Sequence, residues 1–317
     1  MTSSVVIALD VGGTQIKAGA VVDGKVVAAS VGHYESGARL AAKETIGHFA
    51  AVVADVLRKS GTDACVDGLG LAFPGPFDYE AGVSRIRGLG KFDALYGLPV
   101  GSLLDEALRA DERTGSRLAP HFRLAFENDA ALFGLGETGP GGAAEGAGRV
   151  VCLTIGTGLG SCFLDSGRLV KTRADVPSDG WLYATPYKNR MADDYISRRG
   201  VLQLSARFGL ADAGLDVKDL ALLADGGDAA AQRLFCRFGE RMAEILAPPL
   251  LRFGPESIVL GGQISRSAHL FLPAFRQALA GSGMHAEVRV GRDTLTSTLL
   301  GIYRFMTETT FLTGGER

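Results

Sequence analysis

Two short segments hold the residue types that phosphate chemistry needs. In the first, Asp10-Val11-Gly12-Gly13-Thr14-Gln15-Ile16-Lys17, the pair Gly12 and Gly13 stands beside a carboxylate, a hydroxyl and an ammonium. Glycine lets backbone N–H groups approach a ligand closely, so the combination suits a nucleotide carrying Mg2+. The second, Gly156-Thr157-Gly158-Leu159-Gly160, repeats the Gly-Thr step without the charges. GxxxxGK[ST] is absent, and the second glycine run leads into an expected strand where a dinucleotide fingerprint leads into a helix. Each segment alone also reads as an ordinary glycine-rich hairpin. A bound phosphate is therefore expected between two hairpins.

The two segments have matched surroundings. Placing 8–27 over 151–170 aligns Gly13-Thr14 with Gly156-Thr157 and Gly24-Lys25 with Gly167-Arg168 at one offset. Strands are expected over 5–9, 17–22 and 26–31, and again over 150–155, 161–165 and 168–171. This internal repeat predicts two lobes of common design; two unrelated hairpins are the alternative.

A third candidate is Asp129, where an expected strand over 122–127 gives way to an expected helix over 129–138. Phosphoryl transfer to a hydroxyl needs a group to take the proton of the attacking oxygen, and a carboxylate at the end of a strand suits that task. The same residue also reads as a helix N-terminal cap, and the pattern leaves both open.

The elements that must position these residues are helices over 38–59, 103–110, 193–208, 229–253, 267–280 and 296–307, with further strands over 67–72, 257–260 and 287–290. The turn Pro74-Gly75-Pro76 ends the 67–72 strand, and a glycine-rich loop covers 139–148. A chain of 317 residues, 46% hydrophobic, supports two cores. The expected division is a small lobe over 1–125, completed by a C-terminal helix over 296–317, and a large lobe over 126–295.

With 33 basic and 35 acidic residues the formal charge is -2, which leaves no basic footprint for nucleic acid or an anionic membrane. No apolar run reaches bilayer length, and the N-terminus enters the strand-like Val5-Val6-Ile7 without a signal-peptide pattern. A cytoplasmic protein is expected. Cys65, Cys152, Cys162 and Cys236 form no CxxC pair, and Cys152 and Cys162 read as small core residues.

The segment DVGGTQIKAG over 10–19 resembles the first phosphate motif of the ROK family (repressors, open reading frames and kinases), the bacterial glucokinase-like branch of the actin-like superfamily. Further motifs follow in the family's order. GLAFPGPFD over 70–78 resembles its GxxxPGPVD loop, Glu127-Asn128-Asp129-Ala130 its END motif, 154–160 its second phosphate motif, and PESIVLGG over 255–262 its strand and glycine turn against the nucleoside.

The resemblance implies an α/β, two-lobed actin-like (ribonuclease H-like) fold with duplicated β-hairpin phosphate loops. It also implies ATP-dependent phosphorylation of a hexose hydroxyl. The 6-hydroxyl of glucose is the default, with amino sugars, N-acetylated sugars, fructose and allose open. In that scheme Asp129 is the general base and Asn128 and Gly75 lie against the sugar. Asp10 positions Mg2+ directly or through water. Thr14 and Thr157, with the amides around Gly12, Gly13, Gly156 and Gly158, hold phosphates, Lys17 is a further phosphate contact, and Gly261 and Gly262 border the adenosine. A homo-oligomer, commonly a dimer, is implied as well.

The chain departs from the family at the sugar side. Members carry a GEIGH segment and a CxCGxxGC cluster that bind a structural zinc. Here no His lies between His121 and His269 and no Cys lies in 174–194, so no structural zinc is expected. Asp179-Gly180-Trp181-Leu182-Tyr183 and Asp193-Asp194-Tyr195-Ile196-Ser197 stand there instead. The second resembles the family's Glu-x-Tyr-x-Ser, which implies that Asp193 replaces a sugar-binding Glu; it also suits a helix start. Asp179 and Trp181 are further sugar-side candidates, Trp181 reading equally as an aromatic face for sugar C–H groups or as a core anchor. The segment over 91–96 corresponds to a part of the small lobe that closes over the sugar, or to a surface loop. The family's repressors carry a DNA-binding helix-turn-helix ahead of the first motif, which the short stretch before Asp10 leaves no room for. A non-catalytic sugar-binding regulator, a polyphosphate-using glucokinase and an acetate-kinase-like enzyme are the competing expectations.

Overall fold

The computed structural model describes residues 3–210, 214–291 and 293–308. The chain divides into two compact units, one holding the chain up to Gly136 and the last helix from Leu295 on, the other holding Glu137–Thr294.

In the first unit, β1 (Val5–Val11) and β2 (Gln15–Val22) pair antiparallel around the first glycine turn. The short β3 (Lys25–Val26) and β4 (Gly32–Glu35) both lie on β2. Here the structure differs from the expected strand over 26–31. The Ser30 hydroxyl donates to Val27 O at 2.6 Å and accepts from Ala20 N–H at 2.8 Å, so a side chain occupies the ladder position until β4 resumes the pairing.

Next, α1 (Ala42–Ser60) runs from Glu44, whose carboxylate accepts from Ala41 N–H at 3.1 Å, to Gly61 in the left-handed conformation. It starts later than expected because Ser36 Oγ accepts from Ala38 N–H and Gly37 O from Leu40 N–H, which closes a turn there. Then come β5 (Val66–Ala72), the hairpin β6 (Phe77–Asp78) and β7 (Val83–Ser84), α2 (Val100–Ala110), β8 (Leu118–Glu127) and α3 (Asp129–Glu137). β5 is parallel to β1 and β8 to β5, giving the order β3-β2-β1-β5-β8.

The second unit repeats this plan. β9 (Arg149–Ile155) and β10 (Leu159–Asp165) pair antiparallel, followed by β11 (Arg168–Leu169). After the hairpin β12 (Pro186–Tyr187) and β13 (Arg190–Met191) come α4 (Arg198–Ser205), α5 (Val217–Asp225) and α6 (Ala229–Phe253). The strand β14 (Ser257–Gly261) is parallel to β9, and after α7 (Ala268–Gly281) the strand β15 (Glu287–Val290) is parallel to β14. The order β11-β10-β9-β14-β15 matches the first sheet strand for strand. Val11 pairs with Ile16 but Ile155 with Leu159, so the second turn is one residue shorter. Consequently Thr154 stands where Asp10 stands in the first hairpin.

The expected helix over 193–208 is divided. Ala192–Asp194 forms a separate 3-10 turn, and α4 is capped by Ser197, whose hydroxyl accepts from Gly200 N–H. α5 and the two short hairpins were not expected, although Val217, Leu220, Ala221 and Ala224 of α5 recur at helical spacing.

The final helix, α8 (Thr294–Thr307), packs on α3 through glycines: a Cβ at Gly301 would lie 1.7 Å from Leu132 O. The units divide after Gly136 and not after 125, because β8 is registered on β5 and α3 is locked against α8. The part of the expected C-terminal helix from 309 on lies outside the described residues. Cys152 and Cys162 face each other across β9 and β10 as buried free thiols. No helix among the described residues is long and apolar enough to cross a membrane.

Candidate active site

Parallel register gathers the first unit's chemistry at one sheet edge. Asp10 of β1 pairs with Ala72 of β5, and Ala72 with Glu127 of β8; Phe73 N–H donates to Glu127 O at 3.0 Å. Carboxyl ends of adjacent parallel strands are where α/β sheets place ligands. Beneath this edge, Phe73 packs against Phe77, Phe92 and Phe126 with ring centroids 4.7, 5.4 and 5.9 Å away. One buried aromatic cluster thus anchors the Pro74-Gly75-Pro76 loop, the loop before Phe92 and the end of β8.

Asp10 lies directly across the hairpin from Lys17, with Oδ2 and Nζ 3.6 Å apart. Its pKa is pushed up to about 6, first by desolvation and further by the nearby charge of Asp129, with Lys17 opposing. Asp129 opens α3 and is exposed at its outer side. The protein crowded around it nonetheless holds its pKa above the usual carboxylate value, against Ala130 N–H, Lys91 and Lys17. Two carboxylates, each with its proton affinity raised chiefly by desolvation, are poised for a proton or a cation.

Ala130 N–H is shared between Asp129 Oδ1 at 2.9 Å and Asn128 Oδ1 at 3.0 Å. The capping alternative is thus realised by both side chains, which fixes their orientation. Asn128 N–H in turn donates to the buried Glu127 carboxylate at 2.8 Å. Gly75 is exposed, with Tyr79 Oη near the space its Cβ would take, and Tyr79 donates to Phe73 O at 2.9 Å.

The first turn closes through Gly12 N–H to Gln15 O at 2.9 Å. Ser36, just after β4, secures it from outside: its hydroxyl donates to Gly13 O at 2.9 Å and its N–H to Thr14 O at 3.3 Å. Thr14 stands exposed at the tip. Sequence reasoning missed Ser36, since a loop serine carries no periodic or motif signal.

In the second unit, Gly156 N–H donates to Gly158 O at 3.0 Å, and Thr157 is exposed at the tip. Asp193 comes to this turn. Its Oδ1 accepts from Leu159 N–H at 2.7 Å, its Oδ2 accepts from Arg199 at 2.8 Å, and Ser197 Oγ donates to its carbonyl. Arg199 was not foreseen, because the pairing depends on the break before α4. Gly262 has φ of 85°, and a Cβ there would lie 2.5 Å from Ile155 O, so the Gly261-Gly262 turn packs directly on the strand end that leads into Gly156.

Trp181 is half-buried beside Tyr183, ring centroids 5.9 Å apart, while the neighbouring Leu182 fills the core. Ser161 Oγ pins that loop by donating to Gly180 O and accepting from Leu182 N–H. Asp179 sits in the same loop at φ of 56°, next to Ser178 Oγ. Among the described residues no three His, Cys, Asp or Glu side chains are grouped to hold a metal ion.

Two units with one strand order, each carrying a glycine turn between its first two strands, define an α/β fold of the actin-like class. The chain matches the ROK family model over residues 6–290 and belongs to that family. It is 27% identical over 229 residues, 66% of this chain and 68% of the relative, to a glucokinase of Thermotoga maritima. In fold it is similar to a glucokinase structure from Parabacteroides distasonis, with a TM-score of 0.77 at 20% identity over 96% of this chain and 98% of that one. A ROK family glucokinase from Streptomyces griseus, solved with glucose and AMPPNP, gives a TM-score of 0.71 at 21% identity over 95% and 99% of the two chains.

Proposed function

We propose that this protein is an ATP-dependent sugar kinase that phosphorylates a hexose hydroxyl, with Asp129 as general base. The observation that carries the reading is the placement of Asp129 beside Asp10 and Lys17 in one unit, its pKa raised by its surroundings. A base whose proton affinity is raised toward neutral pH takes a hydroxyl proton more readily than an ordinary carboxylate. Family membership and the likeness to a glucokinase support the sugar as acceptor.

In this account the sugar hydroxyl oxygen forms a bond to the terminal phosphorus as the bridging P–O bond of ATP breaks. Its proton passes to Asp129. Asn128 Oδ1 is engaged by Ala130 N–H, so its amide NH2 is the group directed to a sugar hydroxyl, and Gly75 is assigned to the same sugar side. Thr14 with the Gly12-Gly13 amides, Thr157 with the Gly156 and Gly158 amides, and Lys17 hold phosphates; Gly261 and Gly262 border the adenosine. Trp181 offers an aromatic face to the sugar, with Asp179 in the same loop. Asp193 has both oxygens engaged by protein, so we assign it to bracing the second turn.

Asp10 fits a magnesium ion, since its carboxylate stands at the carboxyl end of β1 beside the first glycine turn, and Asp129 adds a second negative charge nearby. Magnesium is commonly held by one or two carboxylates together with the nucleotide's phosphates. When bound it would offset phosphate charge.

ADP release measured over hexoses, hexosamines and N-acetylhexosamines, with polyphosphate as a second donor, tests the reading. Sugar-dependent ADP formation is expected. Sugar binding without turnover of either donor would instead indicate a regulator.

A further inference from the structure

The first glycine turn has a cation against it that the account above does not use. Lys91 lies across Gly13 so closely that a Cβ on that glycine would be 3.0 Å from Lys91 Cδ. Lys91 also acts electrostatically on Asp129, ahead of Lys17. Lys17 is held by Asp10, whereas Lys91 makes no hydrogen bond or ion pair with any described residue. Its ammonium is uncommitted, yet it is partly buried within reach of both the turn and the base.

The backbone holds it there at a cost. Phe92 adopts the left-handed conformation at φ of 56°, which an L-residue with a large side chain takes only when its surroundings impose it. The imposing contacts are the buried ring of Phe92 between Phe49 and Phe73 and the bond from Phe92 N–H to Ala38 O at 2.6 Å. Phe92 thus turns inward while the preceding lysine lies on the glycine turn. A surface loop has no need of this arrangement.

We propose that Lys91 is a catalytic residue of the kinase reaction, its ammonium contacting the terminal phosphate oxygens of a nucleotide held at the Gly12-Gly13 turn. It offsets the negative charge there as the bond to the sugar oxygen forms and the bridging bond to ADP breaks, while the hydroxyl proton goes to Asp129. The inference rests on the proposed sugar-kinase activity.

The test uses the full-length protein with MgATP and whichever sugar the wild type turns over fastest. Lys91→Met is expected to lower kcat about 100-fold, the loss typical of one removed electrostatic contact. The sugar KM should change little, and the loss should persist at every pH from 6 to 9. Lys91→Arg should restore a substantial part of the rate. Sugar-induced thermal stabilisation, measured on both variants, reports folding independently. A Lys91→Met rate near wild type would overturn the inference, as would a loss confined to the sugar KM. A loss that vanishes at high pH would also overturn it, showing that Lys91 acts only through the charge of Asp129. If the wild type itself turns over no sugar, the kinase reading fails first.

Discussion

Asp10 at the carboxyl end of β1 has its pKa raised to about 6, first by desolvation, and Asp129 at the start of α3 lies close enough that its charge adds to that rise. The sheet register enforces this proximity, since Asp10, Ala72 and Glu127 are partners across three parallel strands and Asp129 follows Glu127 by two residues. A desolvated carboxylate is expected beside a second one only where the pair serves a cation or a proton.

The raised proton affinity of Asp10 has a consequence for stability. Because the folded pKa of Asp10 lies above its ordinary value of 3.8, the native state binds that proton more tightly than the unfolded chain. Its contribution is fully present below about pH 4 and is lost as pH rises through about 6. Asp10→Asn should therefore melt higher than wild type at pH 8, on the order of a few degrees, with the difference shrinking between pH 6 and 4. Thermal melts across that range check this, and a gap that widens on acidification would count against it.

Asp193 tests the division between nucleotide and sugar contacts. Removing its carboxylate in Asp193→Ala frees Leu159 N–H and leaves Arg199 to Asp194, so the apparent KM for ATP should rise about tenfold with the sugar KM unchanged. Steady-state kinetics in both substrates decide it. A selective rise in the sugar KM would return Asp193 to the sugar.

Gly262→Ala places a methyl group against Ile155 O at a φ of 85°. A loss of about 1–3 kcal/mol is expected, visible in denaturant unfolding and accompanied by weaker ATP binding. An unchanged midpoint would show that the turn relaxes freely.

Asn128→Ala should raise the sugar KM by about tenfold, the value of one hydrogen bond, with a smaller effect on kcat. Initial rates at saturating ATP measure both.

Much of this was legible in the sequence, for identifiable reasons. The repeated Gly-Thr turns stand between short, almost continuously apolar strands, so both hairpins could be read locally. What escaped depends on partners distant in sequence. Nothing local announces that Ser36 reaches back to Gly13, that Arg199 reaches Asp193, or that Lys91 lies on Gly13. The helix expected over 193–208 failed because Asp193 and Ser197 spend their polar groups on the second turn and on the start of α4. Trp181 read equally as an aromatic face for a sugar and as a core anchor, and nothing local announces that Leu182 fills the core beside it. The division after Gly136 was hidden as well, since it depends on α3 meeting a helix near the other end of the chain.

The central claim is that Asp129 takes the hydroxyl proton. Turnover of the purified Asp129→Asn protein, measured beside its binding of ATP and of the best sugar, tests it most directly. The account predicts a kcat lower by about 10²–10⁴ with both ligands still bound at near wild-type affinity; phosphorylation at close to the wild-type rate would contradict it.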